Sequence, residues 1–230
     1  MFVLTTSSNP SEGGTTIPAQ QEYNSGDIAT ISATPNSEYV FQNWTGSITG
    51  NSSTTTITMD NDKSVVANFV KKKYELSIDI EGNGQVNKVV IQPGITDKTE
   101  HNSGTILELT AVADTGWEFK EWKGDVTSNE NIIQITMNSP KSVTAIFITN
   151  IAGNIQKGPY LSGTLMNLYE LNNDLSQSGK NFSTSINDNK GNYAFNKVAL
   201  SSNFIKLNGL GYYFNEVLSK NSTSQLSLTA

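Results

Sequence analysis

Apolar and polar side chains alternate in short runs along most of the chain. In "DIATISATP" (27–35) and "TILELTAVA" (105–113) apolar residues recur at about every second position, which buries one strand face and leaves the other in water. "TTTITM" and "KSVVANFV" do the same around Asp60-Asn61-Asp62, and "IIQITM" and "KSVTAIFI" around Asn138-Ser139-Pro140. Asn, Asp, Ser and Pro favour turns, through local side-chain bonds or a preset φ, so both places predict hairpin-like turns. No long helical period is present, although residues 39–44 admit a short helix. From Ile151 onward Gly and Asn punctuate further strand-length runs. There "INDNKGNYAF" predicts a hairpin with Gly191 at its turn.

The runs repeat. Residues 24–69 align without a gap on 102–147 with 18 identities over 46 positions. "YVFQNWTGSI" returns as "WEFKEWKGDV", so that Phe41 answers Phe119, Trp44 answers Trp122 and Gly46 answers Gly124. The second copy carries extra residues around 92–101. The organisation expected is two small β domains at 1–70 and 73–148, then a β-sandwich at 151–230, with linkers at Val70–Lys73 and Thr149–Asn150. Met1 stands directly before the first strand and "SQLSLTA" ends in mid-alternation. Both ends are therefore expected to be cuts from a longer exported chain, with the third domain truncated.

The repeated Trp has two readings, a core anchor or a sugar-stacking platform. A Trp buries roughly 200 Å², worth several kcal/mol at about 25 cal/mol per Å², and a domain this small without disulfides needs such an anchor. Core is the expectation for Trp44 and Trp122. Trp117 aligns with Tyr39 and is a candidate ligand contact, as are Tyr212 and Tyr213.

Composition narrows the chemistry. The net charge is −6, with 16 % charged residues and no basic stripe apart from Lys71-Lys72-Lys73, read as a solvated linker, so nucleic acid is not an expected partner. Cysteine is absent, which removes disulfides, thiolate nucleophiles and Cys-ligated metals. No apolar run is long enough to span a bilayer. The one histidine, His101, stands apart from any Gly-x-Ser-x-Gly element and is expected on an exposed loop. "DND" at 60–62 and "DNKGN" at 188–192 lack the spacing of a Ca²⁺ loop and read as turns. No enzyme activity, metal or cofactor is expected. Lys157 and Asn215, with Glu170 as a buried acid, are a candidate trio for a covalent Lys-to-Asn cross-link, but Lys and Asn are so common that chance is the expected reading.

The Gly-rich starts (Gly13-Gly14; Gly82, Gly84), "NSG", F-x-x-W-x-G and I-T-M-x-x-x-K-S-V-x-A-x-F resemble the divergent internalin-type B repeat of bacterial surface proteins. That resemblance implies a β-grasp-like or β-rich unit strung in tandem, extracellular, with no catalytic residues to transfer. "GNIQKGPYLSG", "DNKGNYAF" and "GYYFNEV" resemble a β-sandwich of Gram-negative surface lipoproteins and, more distantly, prealbumin-like domains, though no lipobox cysteine is present. The expected role is a spacer and interaction scaffold. Two alternatives stand beside it: an adhesin module that binds a glycan or protein through exposed aromatics, and an accessory region of a secreted hydrolase.

Overall fold

The computed structural model describes residues 1–91, 99–155, 160–215 and 218–230. Repeat one contains β1 (Phe2–Asn9), β2 (Gly14–Ile17), β3 (Gln20–Tyr23), β4 (Ile28–Pro35), β5 (Tyr39–Gly46), β6 (Thr54–Thr58) and β7 (Lys63–Lys71). Repeat two follows with β8 (Lys73–Glu81), β9 (Gly84–Val90), β10 (Glu100–Asn102), β11 (Ile106–Ala113), β12 (Trp117–Gly124), β13 (Ile132–Thr136) and β14 (Lys141–Asn154). The C-terminal region adds β15 (Leu165–Leu171), β16 (Gln177–Ser185), β17 (Asn192–Val198), β18 (Phe204–Gly211), β19 (Phe214–Asn215), β20 (Lys220–Asn221) and β21 (Leu226–Thr229). A 3-10 turn at Ser11–Gly13 is the one helical piece among the described residues, so the protein is mainly β.

Each repeat is built from two sheets with the same strand order. Repeat one has β3-β1-β7-β5 and β2-β4-β6, and repeat two has β10-β8-β14-β12 and β13-β11-β9. In repeat one β1 runs parallel to β7 while β3 and β5 pair antiparallel outside them. The inward residues of its two sheets, among them Leu4, Ile31, Trp44, Met59, Val65 and Phe69, form one core.

Four expectations from sequence are corrected. His101, expected on an exposed loop, lies in strand β10 and is 2 % exposed. Residues 39–44 belong to strand β5, not a helix. The Asp60-Asn61-Asp62 and 138–140 turns do not close hairpins, because β6 and β7, like β13 and β14, lie in different sheets. Each turn instead arches over the core edge, so that Ile57 in one layer and Val65 in the other face the same interior. Asp62 holds the first arch by accepting the Val3 amide at 2.8 Å. The "DNKGNYAF" segment is not a hairpin ladder either: β17 pairs with β14. Gly191 does sit at φ 80°, and a Cβ there would lie 2.6 Å from the Ile155 carbonyl oxygen.

The described residues pack as two compact units. One holds Met1–Ser77, Val90–Leu107 and Gln134–Lys141; the other holds Ile78–Val89, Glu108–Ile133 and Ser142–Ala230. Within the second, β14 runs through Thr149–Asn150 as continuous strand. Thr149 pairs with Val198, Ile151 with Phe195 and Asn154 with Asn192. A four-stranded sheet, β16-β15-β18-β21, completes that region. Its core gathers Tyr160, Leu168, Ile186, Phe195 and Val198.

Candidate functional site

The repeated motif owes its geometry to a β-bulge. In a regular strand, residues three apart point to opposite faces. Between Phe41 and Asn43 the pairing with β7 slips by one residue, so Phe41 stands opposite Phe69 and Trp44 opposite Ala67. Phe69 and Ala67 share a face, and the slip therefore turns Phe41 and Trp44 to the same side, with ring centroids 5.3 Å apart. Repeat two does the same between Phe119 and Glu121, bringing Phe119 and Trp122 to 5.7 Å. Gly46 and Gly124 have φ of 97° and 105°, and a Cβ at either would come within 2.4 and 2.3 Å of the Ser64 and Ser142 carbonyl oxygens. Only glycine fits there. Gly84 lies against the ring of Phe147 as Gly14 lies against that of Phe69, which accounts for the Gly-rich starts.

Trp44 and Trp122 are both fully buried. Their surroundings differ in one respect. The Trp44 indole N–H donates to the Ser52 carbonyl at 2.9 Å, whereas the Trp122 indole N–H has no acceptor among the described residues. The loop after Trp122 is arranged otherwise: the Glu130 amide donates to the Ser128 hydroxyl at 3.0 Å, and Gly50 holds the place of Ser128 in repeat one.

The three proposed ligand contacts are not brought together. Trp117 is half-buried, pairs with Thr149 and packs against the C-terminal core. Tyr213 packs against that same core and bridges to Tyr160. Tyr212 is 46 % exposed on a cavity of about 390 Å³ whose other walls include Ser162, Thr164, Asn221, Ser222 and Gln225. Lys157 lies outside the described residues. Glu170 has other partners, and the Asn215 side-chain oxygen accepts the Leu218 amide at 3.1 Å.

Glu170, the acid of the cross-link trio considered from sequence, is buried as that role requires but has other partners. It is 2 % exposed and accepts the Ser178 hydroxyl at 2.8 Å, the Ser202 amide at 2.9 Å and the Ser201 amide. Burial pushes its pKa up, but these three donors and nearby Lys180 outweigh burial and hold it below the ordinary carboxylate range. Lys180 also donates to Glu81 of β8 and to the Ser201 hydroxyl at 3.1 Å. The cluster thus links repeat two to the C-terminal region inside one unit. Its further signal in sequence is a Glu in an apolar alternation, "TLMNLYEL".

The two repeat ends also differ. Beyond repeat one, the Lys72 amide donates to the Glu38 carbonyl at 2.9 Å and its carbonyl accepts the Ser103 amide at 2.8 Å, so a single residue between β7 and β8 is held from both sides. Above it opens a groove of about 900 Å³. At the matching end of repeat two a small pocket of about 20 Å³ is bounded by Gly116, Glu118, Ile148, Thr149, Asn150 and Lys197. The Lys197 amide there donates to the Asn150 side-chain oxygen at 2.9 Å.

The profile of the divergent InlB B-repeat domain matches residues 4–73 and 74–151. The chain belongs to that family, which points to a repeat module of bacterial surface proteins. No curated protein and no solved structure matched the chain. No helix among the described residues is long and apolar enough to cross a membrane.

Proposed function

We propose that this chain is a non-catalytic spacer and interaction scaffold in an extracellular protein of the bacterial surface. The observation that supports this most is β14, which leaves repeat two and enters the C-terminal region as one strand paired on both sides of the boundary. A ladder of backbone hydrogen bonds resists bending where a Gly/Ser linker would not. The cysteine-free sequence makes the test clean. Spin labels on Glu130→Cys and Asn187→Cys, both exposed positions, should give one narrow distance distribution by pulsed electron resonance. A broad or bimodal distribution would remove the spacer reading.

A second reading, a glycan-binding module, is favoured by Tyr212. An exposed aromatic beside a cavity walled by hydroxyl and amide side chains offers a stacking face and hydrogen-bond partners for a sugar. Tyr212→Ala should abolish any hit found on a glycan array; a hit that survives it belongs elsewhere.

A further inference from the structure

The groove beyond repeat one has an apolar floor and a basic rim. Pro10, Tyr39, Val40, Phe69, Val70 and Tyr74 line it, and Lys71, Lys72 and Lys73 follow one another along its edge. Val40 and Val70 are direct cross-strand partners, yet they remain 41 % and 39 % exposed. In repeat two the corresponding pair is Glu118 and Ile148, and Thr149 and Asn150 stand in the places of Lys71 and Lys72. The repeats share their scaffold and most of the apolar lining, since Phe147, Ile148 and Trp117 answer Phe69, Val70 and Tyr39. What sets repeat one apart is Val40 in the place of Glu118 and the lysines in the places of Thr149 and Asn150, neither of which the fold demands.

On one side of the groove β5 and β7 pair with each other, Val40 with Val70 and Tyr39 with Lys71, and the Lys72 amide and carbonyl are both bonded. The side chains offer apolar surface for an apolar group and ammonium groups for carboxylates. Acidic residues at the site already have roles. Glu12 accepts the Tyr39 hydroxyl at 3.4 Å and Glu100 lies 3.9 Å from Lys73, while Lys71 is exposed and Lys72 half-buried. The most exposed apolar side chains here are the aliphatic Val40 and Val70, which suit an apolar side chain, and a purely anionic chain would leave them wet.

We propose that this groove docks an acidic protein segment carrying a large apolar side chain, which seats on the Val40–Val70 pair while flanking carboxylates meet Lys71 and Lys72. This deepens the scaffold reading and rests on it only in requiring a partner. Its failure would leave the label-distance experiment untouched.

The test is fluorescence polarisation of the full chain with a labelled octapeptide of alternating Glu and Phe. Saturable binding is expected, weakened several-fold by raising salt, with no binding of the matching Lys–Phe peptide. The Lys71→Glu/Lys72→Glu variant and Val40→Glu, which installs the residue of repeat two, should each weaken binding at least about tenfold with an unchanged melting temperature. Should either variant fail to fold, the other decides alone. No saturation at millimolar protein, or affinity indifferent to both variants, would overturn the proposal. So would tight binding of polygalacturonate that depends on the lysines but not on Val40, because the site would then serve an anionic glycan.

Discussion

Repeat one and repeat two carry the same strands in the same order around the same bulged Trp, and they end differently. Repeat one closes its end with Tyr39, 8 % exposed and part of its own core, and leaves an open groove. Repeat two places Trp117 at that position, half-buried against the C-terminal core, beside only a small pocket lined in part by Lys197. A repeat thus keeps its interior constant and varies its last strand positions to suit what comes next. The larger indole appears where a module is gripped through side chains. The smaller phenol appears where Lys72 is held through the backbone.

The comparison can be broken most forcefully at its shared core. Trp44→Ala and Trp122→Ala should each cost about 3–5 kcal/mol, read by urea denaturation of the respective repeat. A small cost at either site would mean that the two cores are not equivalent. Next in size is the cluster at the second junction. Glu170→Gln removes a buried charge that accepts three donors and should cost about 2 kcal/mol, with the melting of repeat one unaffected. Because the folded-state pKa of Glu170 is depressed, its contribution is fully present above the ordinary value of 4.5 and disappears as pH falls through the folded value. Wild type should therefore lose C-terminal stability on acidification below that point, and Glu170→Gln should lose less. Equal acid sensitivity would assign the effect to other carboxylates.

A finer cut concerns the indole N–H. Trp44→Phe gives up a hydrogen bond that Trp122→Phe does not, so the first should cost about 1 kcal/mol more than the second. Equal costs would show that Trp122 finds an acceptor in solution, such as a trapped water. The smallest effect expected is Val40→Glu, an exposed site whose stability change should stay within about 0.5 kcal/mol by thermal denaturation, with the loss confined to binding.

Much of this was legible in the sequence, and the failures share a cause. Period-two alternation and the 78-residue offset from Trp44 to Trp122 located the strands and the family. F-x-x-W, however, contradicts period two, because residues three apart should face opposite ways. That conflict is the signal for a bulge, although a short helix would also put Phe41 and Trp44 on one side. Arches and hairpins use the same Asn, Asp and Pro chemistry, so turn residues could not say whether β6 and β7 share a sheet. The boundary at Thr149–Asn150 is polar, as linkers are, but Asn150 is exposed because it lies on the outer face of a strand. Trp117 was seen to align with Tyr39. Its role depends on the neighbouring module, which no local pattern encodes.

The unbroken β14 bears on the order in which the chain can assemble. As synthesis proceeds, its first half finds β12 already present, while residues 151–154 wait with an unpaired edge until β17 emerges. Such an edge invites pairing with another copy. Here it is short and includes Gly153 and Asn154, residues with poor strand propensity. Repeat two then acts as the template on which the C-terminal sheet starts, so a chain truncated after Thr149 should fold more readily than an isolated C-terminal region lacking β14.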